Sequence, residues 1–363
     1  MKYKIVSNFD KDSMCQLDFV PTLAIAFYVN GYKDVFLECY NHIIKCFPNI
    51  NVMGASSETN IFHTLPYIDT QKHNCIFVFL DLIDKFYSIS KVNMNLESNS
   101  NPFNSANAIF FSLPYTHIEN KIQNIESKLG DSGNVYGVLS GPPNKNELPS
   151  LFYNGEFLEK GGIICHIDSS KYGMNGISLH TFEPIGLRLE ITKADKYTIY
   201  ELENRLALDV IEEIIGKIEQ DEIESFSHPF FLIGKNENVD EYSLLSSICK
   251  INRKDKSITL YREITDEHSA LKLAISISTE DEKLKLKKLE DRSFKGLLFL
   301  FACIGVKRFY GDHEHMKLML LSKKVKSKFV GCHVYGEIAP SINKTYSQLQ
   351  NHTFTFVSLF EIE

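Results

Sequence analysis

The stretch KFVGCHVYGEIAPSINKTYSQLQNHTFTFVSLF, residues 328–360, carries the most structural information in the chain. It begins with an apolar strand, passes through a Gly-Glu step at Glu337, and ends in a second strand that opens with Asn351-His352-Thr353. A carboxylate at a strand end can bind an ammonium group, and Asn and Thr side chains supply donors and acceptors beside it. The same residues also suit a solvated strand end and an Asn-capped turn, so both interpretations stay open.

Composition indicates a globular protein with well-formed cores. The chain has 363 residues, of which 44% are hydrophobic, enough for two ordinary domains or one large two-lobed domain. Its formal net charge is -7 and its pI is about 6.0, and its Lys and Arg residues are scattered without interleaved aromatic residues. Nucleic acid is therefore not an expected partner.

The cysteines and apolar segments predict a cytoplasmic protein. Eight cysteines occur without any Cys-x-x-Cys spacing, which favours reduced thiols in the cytosol. The N-terminal residues reach a charge cluster too early for a signal peptide. The longest apolar run, residues 297–306, is about half of the roughly 20 residues that a membrane-spanning helix needs, and it predicts a buried strand. We expect no membrane insertion, no cofactor and no metal.

Periodicity predicts an α/β (α+β) fold with two lobes, in which mixed or antiparallel sheets pack together under helices. We divide the chain into residues 1–204 and 205–363, because a turn-rich segment of strands is followed there by a strongly amphipathic helix. The predicted strands cover residues 23–29, 75–80, 109–113 and 297–304, with a hairpin around 252–257 and an antiparallel meander over 135–194. The predicted helices cover residues 34–47, 205–220 and 312–325, and two strands close the chain.

Two short segments resemble each other. Met53-Gly54-Ala55-Ser56-Ser57 and Val330-Gly331-Cys332-His333-Val334 both place a glycine and small or polar residues at the end of an apolar stretch. Two matches do not prove a repeat. If the two halves are related, the corresponding turns would face a shared cleft, where small ligands commonly bind. Ser56 and Ser57 could then offer hydroxyl and amide groups to a carboxylate, although a plain strand-to-turn junction explains them as well.

Four places in the chain resemble the FIST family (F-box and intracellular signal transduction). Residues 54–57 resemble a Gly-Cys-Ser-Thr step, with Thr59-Asn60 where the family has Gly-Glu. Residues 177–202 resemble a Pro-Ile-Gly step and the strands after it, and residues 301–303 resemble a strand that ends in Cys. The best match is Gly331 to Ile338 with the Asn-x-Thr step at Asn351. The resemblance implies N- and C-terminal FIST halves that sense a small molecule, with amino acids suggested for the family.

These observations predict an intracellular sensor that binds a small ligand through Ser56, Ser57, Glu337, Asn351 and Thr353 and signals through a separate partner protein. A protein-interaction adaptor without a ligand is the first alternative. An enzyme with a reactive Cys303 or Cys332 is the second, because a nucleophilic cysteine and its histidine partner are adjacent in space and not in sequence. The common nucleotide, zinc-protease and serine-hydrolase motifs are absent from the sequence. The cluster Asp312-His313-Glu314-His315 contains metal-binding residue types, but a solvated helix start explains it better.

Overall fold

The computed structural model describes residues 1–8, 10–64, 67–70, 73–92, 101–114, 117–130, 133–141, 148–218, 229–234, 244–265, 268–276, 287, 289, 294–325, 327–341 and 345–363. The chain forms two compact units. The first consists of Met1–Leu179, Leu286–Ile304 and Asp312–Glu363, and the second of His180–Lys285 and Gly305–Gly311. The first unit holds three six-stranded sheets and the second holds a seven-stranded sheet. The predicted α+β, two-lobed class is confirmed, and the division predicted at residue 204 stays a prediction.

The bounds of the described elements are as follows. In chain order, the strands are β1 (Tyr3–Ser7), β2 (Leu23–Val29), β3 (Asn51–Ser57), β4 (Asn60–Thr64), β5 (Tyr67–Asp69), β6 (Cys75–Leu80), β7 (Tyr87–Val92), β8 (Ala106–Ser112), β9 (Val135–Leu139), β10 (Leu151–Tyr153), β11 (Glu156–Leu158), β12 (Gly162–Asp168), β13 (Tyr172–Leu179), β14 (Phe182–Asp195), β15 (Thr198–Leu202), β16 (Arg205–Leu206), β17 (Pro229–Gly234), β18 (Leu244–Asn252), β19 (Ser257–Leu260), β20 (His268–Ser276), β21 (Leu297–Cys303), β22 (Phe329–Val334), β23 (Gly336–Pro340), β24 (Ser347–Gln350) and β25 (Phe354–Glu361). The α-helices are α1 (Lys33–Cys46), α2 (Ile118–Glu126), α3 (Ala207–Ile215), α4 (Ile304–Tyr310) and α5 (Glu314–Val325). Short 3-10 helices cover Asp12–Met14, Asn30–Tyr32, Asp84–Phe86 and Gly311–His313.

The first unit repeats one arrangement three times. In each repeat two parallel strands lie side by side, as β2 with β3, β8 with β9, and β21 with β22. A helical connection joins the two strands of each pair. An antiparallel strand then returns beside the first strand of the pair: β6 beside β2, β12 beside β8, and β25 beside β21. Each pair and its returning strand form the centre of one six-stranded sheet.

In each repeat, the hairpin that follows the second parallel strand pairs with the sheet of another repeat. The hairpin β4–β5 follows β3 but pairs with β22, and β10–β11 follows β9 but pairs with β3. The hairpin β23–β24 follows β22 but pairs with β9, which closes the cycle. The strand after a returning strand also joins another sheet: β7 follows β6 but pairs with β12, and β13 follows β12 but pairs with β25. The three sheets therefore depend on one another for their edge strands.

Equivalent residues of the repeats meet in the central core. Phe27, Phe111 and Phe301 hold the same position on the first parallel strand of each repeat. The ring centroid of Phe27 lies 5.9 Å from that of Phe111 and 5.8 Å from that of Phe301. Aromatic pairs at this spacing are favourable beyond the area they bury. The central core is thus built from the inner faces of all three sheets.

The strand β2 shows why the first parallel strand of a repeat is a continuous apolar run in the sequence. Its side chains alternate between two cores: Leu23, Ile25 and Phe27 face the central core, and Ala24 and Ala26 pack toward α1. Since both faces of the strand are covered, no position needs a polar residue. Burying each large apolar side chain contributes about 2 kcal/mol to stability. The predicted strand at residues 23–29 and the predicted helix beside it are confirmed.

The second unit has its own core and an antiparallel sheet in the order β14, β20, β17, β18, β19, β15, β16. The helix α3 buries Leu208 and Ile211 against this sheet. It ends at Ile215, because Gly216 takes a positive φ of 88° that stops the helix. Of the helix predicted over residues 205–220, α3 begins two residues later and ends at Ile215, and residues 219–220 lie outside the described residues. The hairpin predicted around residues 252–257 is confirmed by the pairing of β18 with β19.

Two other predictions about strands were wrong. The segment 135–194 is not a meander, because its described strands lie in all four sheets, and within the described part of the segment only β10 and β11 pair with each other. Turn residues marked where the strands end but not which strands pair. The segment 328–360 holds four strands, not two, and Asn351-His352-Thr353 forms the turn before β25 instead of opening a strand.

The cysteines differ from the prediction at one pair. Cys15 and Cys46 form a disulfide across a separation of 31 residues, so the expectation of eight reduced thiols is wrong for these two. The remaining six cysteines form no disulfide. The spacing of the cysteines in the sequence could not predict this pair, because the pairing depends on where α1 places its last residue, Cys46, relative to Cys15.

Candidate functional site

Glu337 and Thr353 meet at the turn that leads into β25. Glu337 is the second residue of β23 and is fully buried. Thr353 donates a hydrogen bond of 2.6 Å from its hydroxyl to Glu337 Oε2. Two features hold the turn: His352 has a left-handed φ of 56°, and the backbone amide of Cys303 donates to the Thr353 carbonyl at 3.0 Å. Two of the five predicted ligand-binding residues are therefore in direct contact.

Asn351 lies on the same turn with an open donor. It follows Gln350, the residue that pairs with Glu337 across β23 and β24. Its side chain is buried, and its Nδ2 has no hydrogen-bond partner among the described residues. The second carboxyl oxygen of Glu337, Oε1, likewise lacks a hydrogen-bond partner in the described part of the chain. A buried polar atom without a partner costs roughly 1–3 kcal/mol, so these two atoms need an explanation.

A row of hydroxyl groups continues from Thr353 along the sheet. Thr353 Oγ1 lies 3.4 Å from Thr355 Oγ1, and Thr355 Oγ1 lies 2.6 Å from Ser178 Oγ. Ser178 forms a bridge with Ser341, whose hydroxyl accepts a hydrogen bond of 2.9 Å from Gln350 Nε2. Thr353 ends the turn before β25, and Thr355 is the second residue of that strand. The surroundings of Glu337 are polar although they are buried.

Burial controls the charge of this site. It raises the pKa of the Glu337 carboxyl well above its ordinary value. Hydrogen bonds from the side chains of Thr353 and Cys303 and from the backbone of Glu337 and Thr353 oppose this effect only in part. Burial also raises the pKa of the Cys332 thiol well above its ordinary value, and the nearby Glu337 carboxylate adds to that rise. The site therefore favours a neutral carboxyl until a cation or further donors approach it.

The three repeats show that the scaffold does not require a carboxyl here. The second parallel strand of each repeat carries a glycine at the same position: Gly54, Gly137 and Gly331. Opposite the residue that follows this glycine, the paired hairpin has Leu151 on β10, Glu337 on β23 and Asn60 on β4, respectively. Asn60 is satisfied: its Oδ1 accepts from Ser57 Oγ at 2.8 Å, and its Nδ2 donates to the carbonyl of His73 at 2.9 Å. Leucine needs no partner. Glu337 alone of the three carries an acceptor that the described residues leave open.

Ser56 belongs to a different and closed hydrogen-bond cluster. Its hydroxyl lies 2.7 Å from the Ser140 hydroxyl and accepts 2.9 Å from the Ser150 amide. Tyr28 completes the cluster by donating to the Ser150 carbonyl at 3.1 Å. Ser57 donates to Asn60, as described above. Among the described residues, no hydrogen bond joins either serine to Glu337, and their hydroxyls already have protein partners.

One buried network was missed from the sequence. The imidazole of His333, which is fully buried, lies 2.7 Å from Thr59 Oγ1 through Nδ1 and 2.5 Å from Glu314 Oε1 through Nε2. This contact joins β22, the turn between β3 and β4, and the start of α5. The expectation of a solvated helix start at residues 312–315 is wrong for Glu314, which is 4% exposed. The two partners of His333, Glu314 and Thr59, lie 19 and 274 residues away from it in sequence, so no local pattern could have shown them.

The two cysteines proposed for an enzyme are buried. Cys303 lies in β21 and Cys332 lies in the neighbouring strand β22. A nucleophilic thiol needs a lowered pKa and access to its substrate, whereas burial raises the pKa of Cys332. The geometry at Cys332 therefore favours a packing role.

Comparison with known proteins finds two family domains that follow one another along the chain, and each of them covers parts of both compact units. The family model described as the FIST N domain matches residues 22–205, and the model described as the FIST C domain matches residues 207–340. No curated protein matches the chain. Within the part of the chain that the structure describes, none of the helices combines the length and apolar composition needed to cross a membrane.

Proposed function

Because the chain belongs to the FIST family, whose domains serve as small-ligand sensory domains in signal transduction, we propose that it binds a small polar ligand at Glu337, Asn351 and Thr353. The observation that carries the proposal is the open Oε1 of the buried Glu337 carboxyl. A ligand that donates to this oxygen would remove the cost of leaving it without a partner. The open Nδ2 of Asn351 on the same turn suits an acceptor group of that ligand.

An amino acid is the first ligand class to test. Its ammonium group is a strong donor to a carboxylate, and its carboxylate accepts from an amide. Binding of the ammonium group would favour the charged form of Glu337, so the carboxyl would release a proton as the ligand enters. The heat of binding should therefore depend on the ionisation enthalpy of the buffer, which a neutral ligand would not cause.

The signal would pass to a separate partner protein in the cytoplasm. The ligand stabilises whichever conformation binds it more tightly, and a change in that population alters the surface that the partner contacts. We propose that the protein is not an enzyme, which the raised pKa of the Cys332 thiol supports. An adaptor that binds only a partner protein is the alternative.

A thermal-shift screen of the purified chain against amino acids and central metabolites tests the proposal. A ligand at 100 times its Kd adds about 2.7 kcal/mol to the stability of the folded chain, which should raise the melting temperature by several degrees. Glu337→Gln should abolish the rise, because the amide cannot become the anion that an ammonium group needs.

Ser56→Ala is the matched control, since it removes a buried polar group that already has protein partners. It should leave the ligand-induced rise unchanged. A rise that persists in Glu337→Gln, or one that only Ser56→Ala removes, would contradict a site at Glu337. The absence of any rise, together with capture of a signalling protein, would support the adaptor.

A further inference from the structure

Cys15, His42 and Cys46 converge on one small region of the first unit. His42 and Cys46 lie on α1 and are four residues apart, so their side chains share one face of the helix. Cys15 follows the 3-10 helix Asp12–Met14 and reaches that face from outside α1. One ligand atom from each of the three residues lies within 4.8 Å of the other two.

These donors match the preferences of zinc. Thiolate sulfur and imidazole nitrogen are its usual protein ligands, at about 2.3 Å and 2.0 Å from the ion. A tetrahedral ion with those bond lengths separates its ligand atoms by roughly 3.5–3.8 Å. The observed spread is close enough for small side-chain rotations to reach that geometry. Magnesium and calcium prefer oxygen ligands and would not select this set.

His42 supplies a second and independent observation. Its Nε2 is buried and has no hydrogen-bond partner among the described residues. An imidazole nitrogen in that position is normally bonded to a protein group, to water or to a metal. Cys46 is exposed and Cys15 is partly exposed, so an ion could reach the site from solvent.

We propose that Cys15, His42 and Cys46 form a zinc site when the Cys15–Cys46 disulfide is reduced. A dithiol reductant would transfer two hydrogen atoms to the two sulfurs and close its own disulfide. Zinc would then displace the two thiol protons and bind both thiolates and the His42 imidazole, with water at the fourth position. The disulfide and the zinc complex exclude each other, because the same sulfurs take part in both. This site does not involve Glu337 and does not depend on the proposed sensory function.

The test compares the full chain in its reduced and oxidised forms. The chain is reduced with a phosphine, and the phosphine is then removed in the absence of air. The reduced chain is titrated with zinc in competition with a chromophoric chelator. We expect tight binding of about one zinc ion per reduced chain and no such binding by the oxidised chain. Cobalt in place of zinc should give a thiolate-to-metal charge-transfer absorption band, which identifies sulfur ligands directly.

Variants locate the site. Cys15→Ser and His42→Asn should each weaken zinc binding by more than about 100-fold, which is the upper end of what losing an outer-shell partner costs. Cys249→Ser is the control, because Cys249 is a partly exposed free cysteine of the second unit. The proposal is wrong if the reduced wild-type chain binds no zinc, if the oxidised chain binds it equally well, or if folded Cys15→Ser binds it as tightly as the wild type.

Discussion

At the scale of single residues, several polar side chains are buried, and many of them have hydrogen-bond partners within the described chain. Ser56, Asn60 and His333 are all buried, and each has a hydrogen bond to another residue. Glu337 differs because only one of its two carboxyl oxygens has a partner in the described chain. A buried acid in this state links the stability of the fold to the pH.

We predict that Glu337 lowers the stability of the wild-type chain as the pH rises. The substitution Glu337→Gln should remove this contribution. Burial raises the pKa of Glu337, so the folded chain keeps this proton over a range of pH in which the unfolded chain has lost it. The free energy of unfolding should then fall as the pH rises above about 4.3, by up to about 1.4 kcal/mol per pH unit, until the folded pKa is passed. The neutral glutamine has no such dependence.

Urea unfolding of both chains at a series of pH values measures the effect. The difference in unfolding free energy, variant minus wild type, should grow as the pH rises. The exposed Glu159→Gln variant carries the same chemical change on the surface and should follow the wild type. Parallel curves for the wild type and Glu337→Gln would show that the buried carboxyl does not hold its proton.

The sequence located Glu337 and Thr353 but not the polar network around His333. A Gly-Glu step after an apolar strand is visible in sequence, since a charge there interrupts a pattern of buried residues. His333 could not be found in this way, because its partners Thr59 and Glu314 come from other elements. Ser56 was placed correctly at a strand end, yet only the structure shows that Ser140 and Ser150 occupy its hydroxyl.

At the scale of elements, close backbone approach explains the glycine that recurs on the second parallel strand. A Cβ on Gly331 would lie 1.7 Å from the Leu300 carbonyl oxygen, and one on Gly137 would lie 1.8 Å from that of Phe110. No real Cβ tolerates such a distance, so the strands would have to move apart. The sequence identified Gly54 and Gly331 but not Gly137, because Gly137 is followed by two large apolar residues, Val138 and Leu139.

We predict that Gly331→Ala and Gly137→Ala each destabilise the first unit by about 3 kcal/mol or more. Gly54→Ala is the matched control, since its Cβ would lie 3.1 Å from the Ala26 carbonyl oxygen, and it should cost only about 1 kcal/mol. Melting temperatures of the three variants provide the comparison. Equal losses at all three positions would mean that the repeats pack alike and that the close approach is not the cause.

Strand bounds were predictable where both faces of a strand are covered, and strand partners were not. The run at residues 75–80 was placed correctly because every one of its residues is buried. The neighbours of β12 lie 50 or more residues earlier in the chain, so turn signals close to it carry no information about its pairing. Hairpins that cross to another sheet are invisible to local patterns for the same reason.

At the scale of the whole molecule, the fold class was predictable but the origin of the internal resemblance was not. Gly54 and Gly331 suggested two related halves, whereas both belong to repeats within the first unit. The second unit has a separate core around α3 and is built from an antiparallel sheet. Because each unit has core residues of its own, a defect in the core of one unit can remain local.

We predict that Ile211→Ala, which opens a cavity in the core of the second unit, destabilises that unit by about 2–5 kcal/mol. Hydrogen exchange followed by mass spectrometry should show faster exchange in β15, β17, β18 and β19. Protection in β2, β8 and β21 should stay at the wild-type level, because their side chains pack in the central core. Faster exchange throughout both units would show that they unfold together.

The exchange of hairpins between sheets has a consequence for folding during synthesis on the ribosome. Gly137 of β9 pairs with Ile338 of β23, about 200 residues later. A ribosome that adds about 5–20 residues per second needs roughly 10–40 seconds to make that distance. For all of this time β9 has an unpaired edge, the kind of surface on which strands from other chains assemble. Contacts so distant also make folding slow, so newly made chains should depend on chaperones more than their final stability suggests.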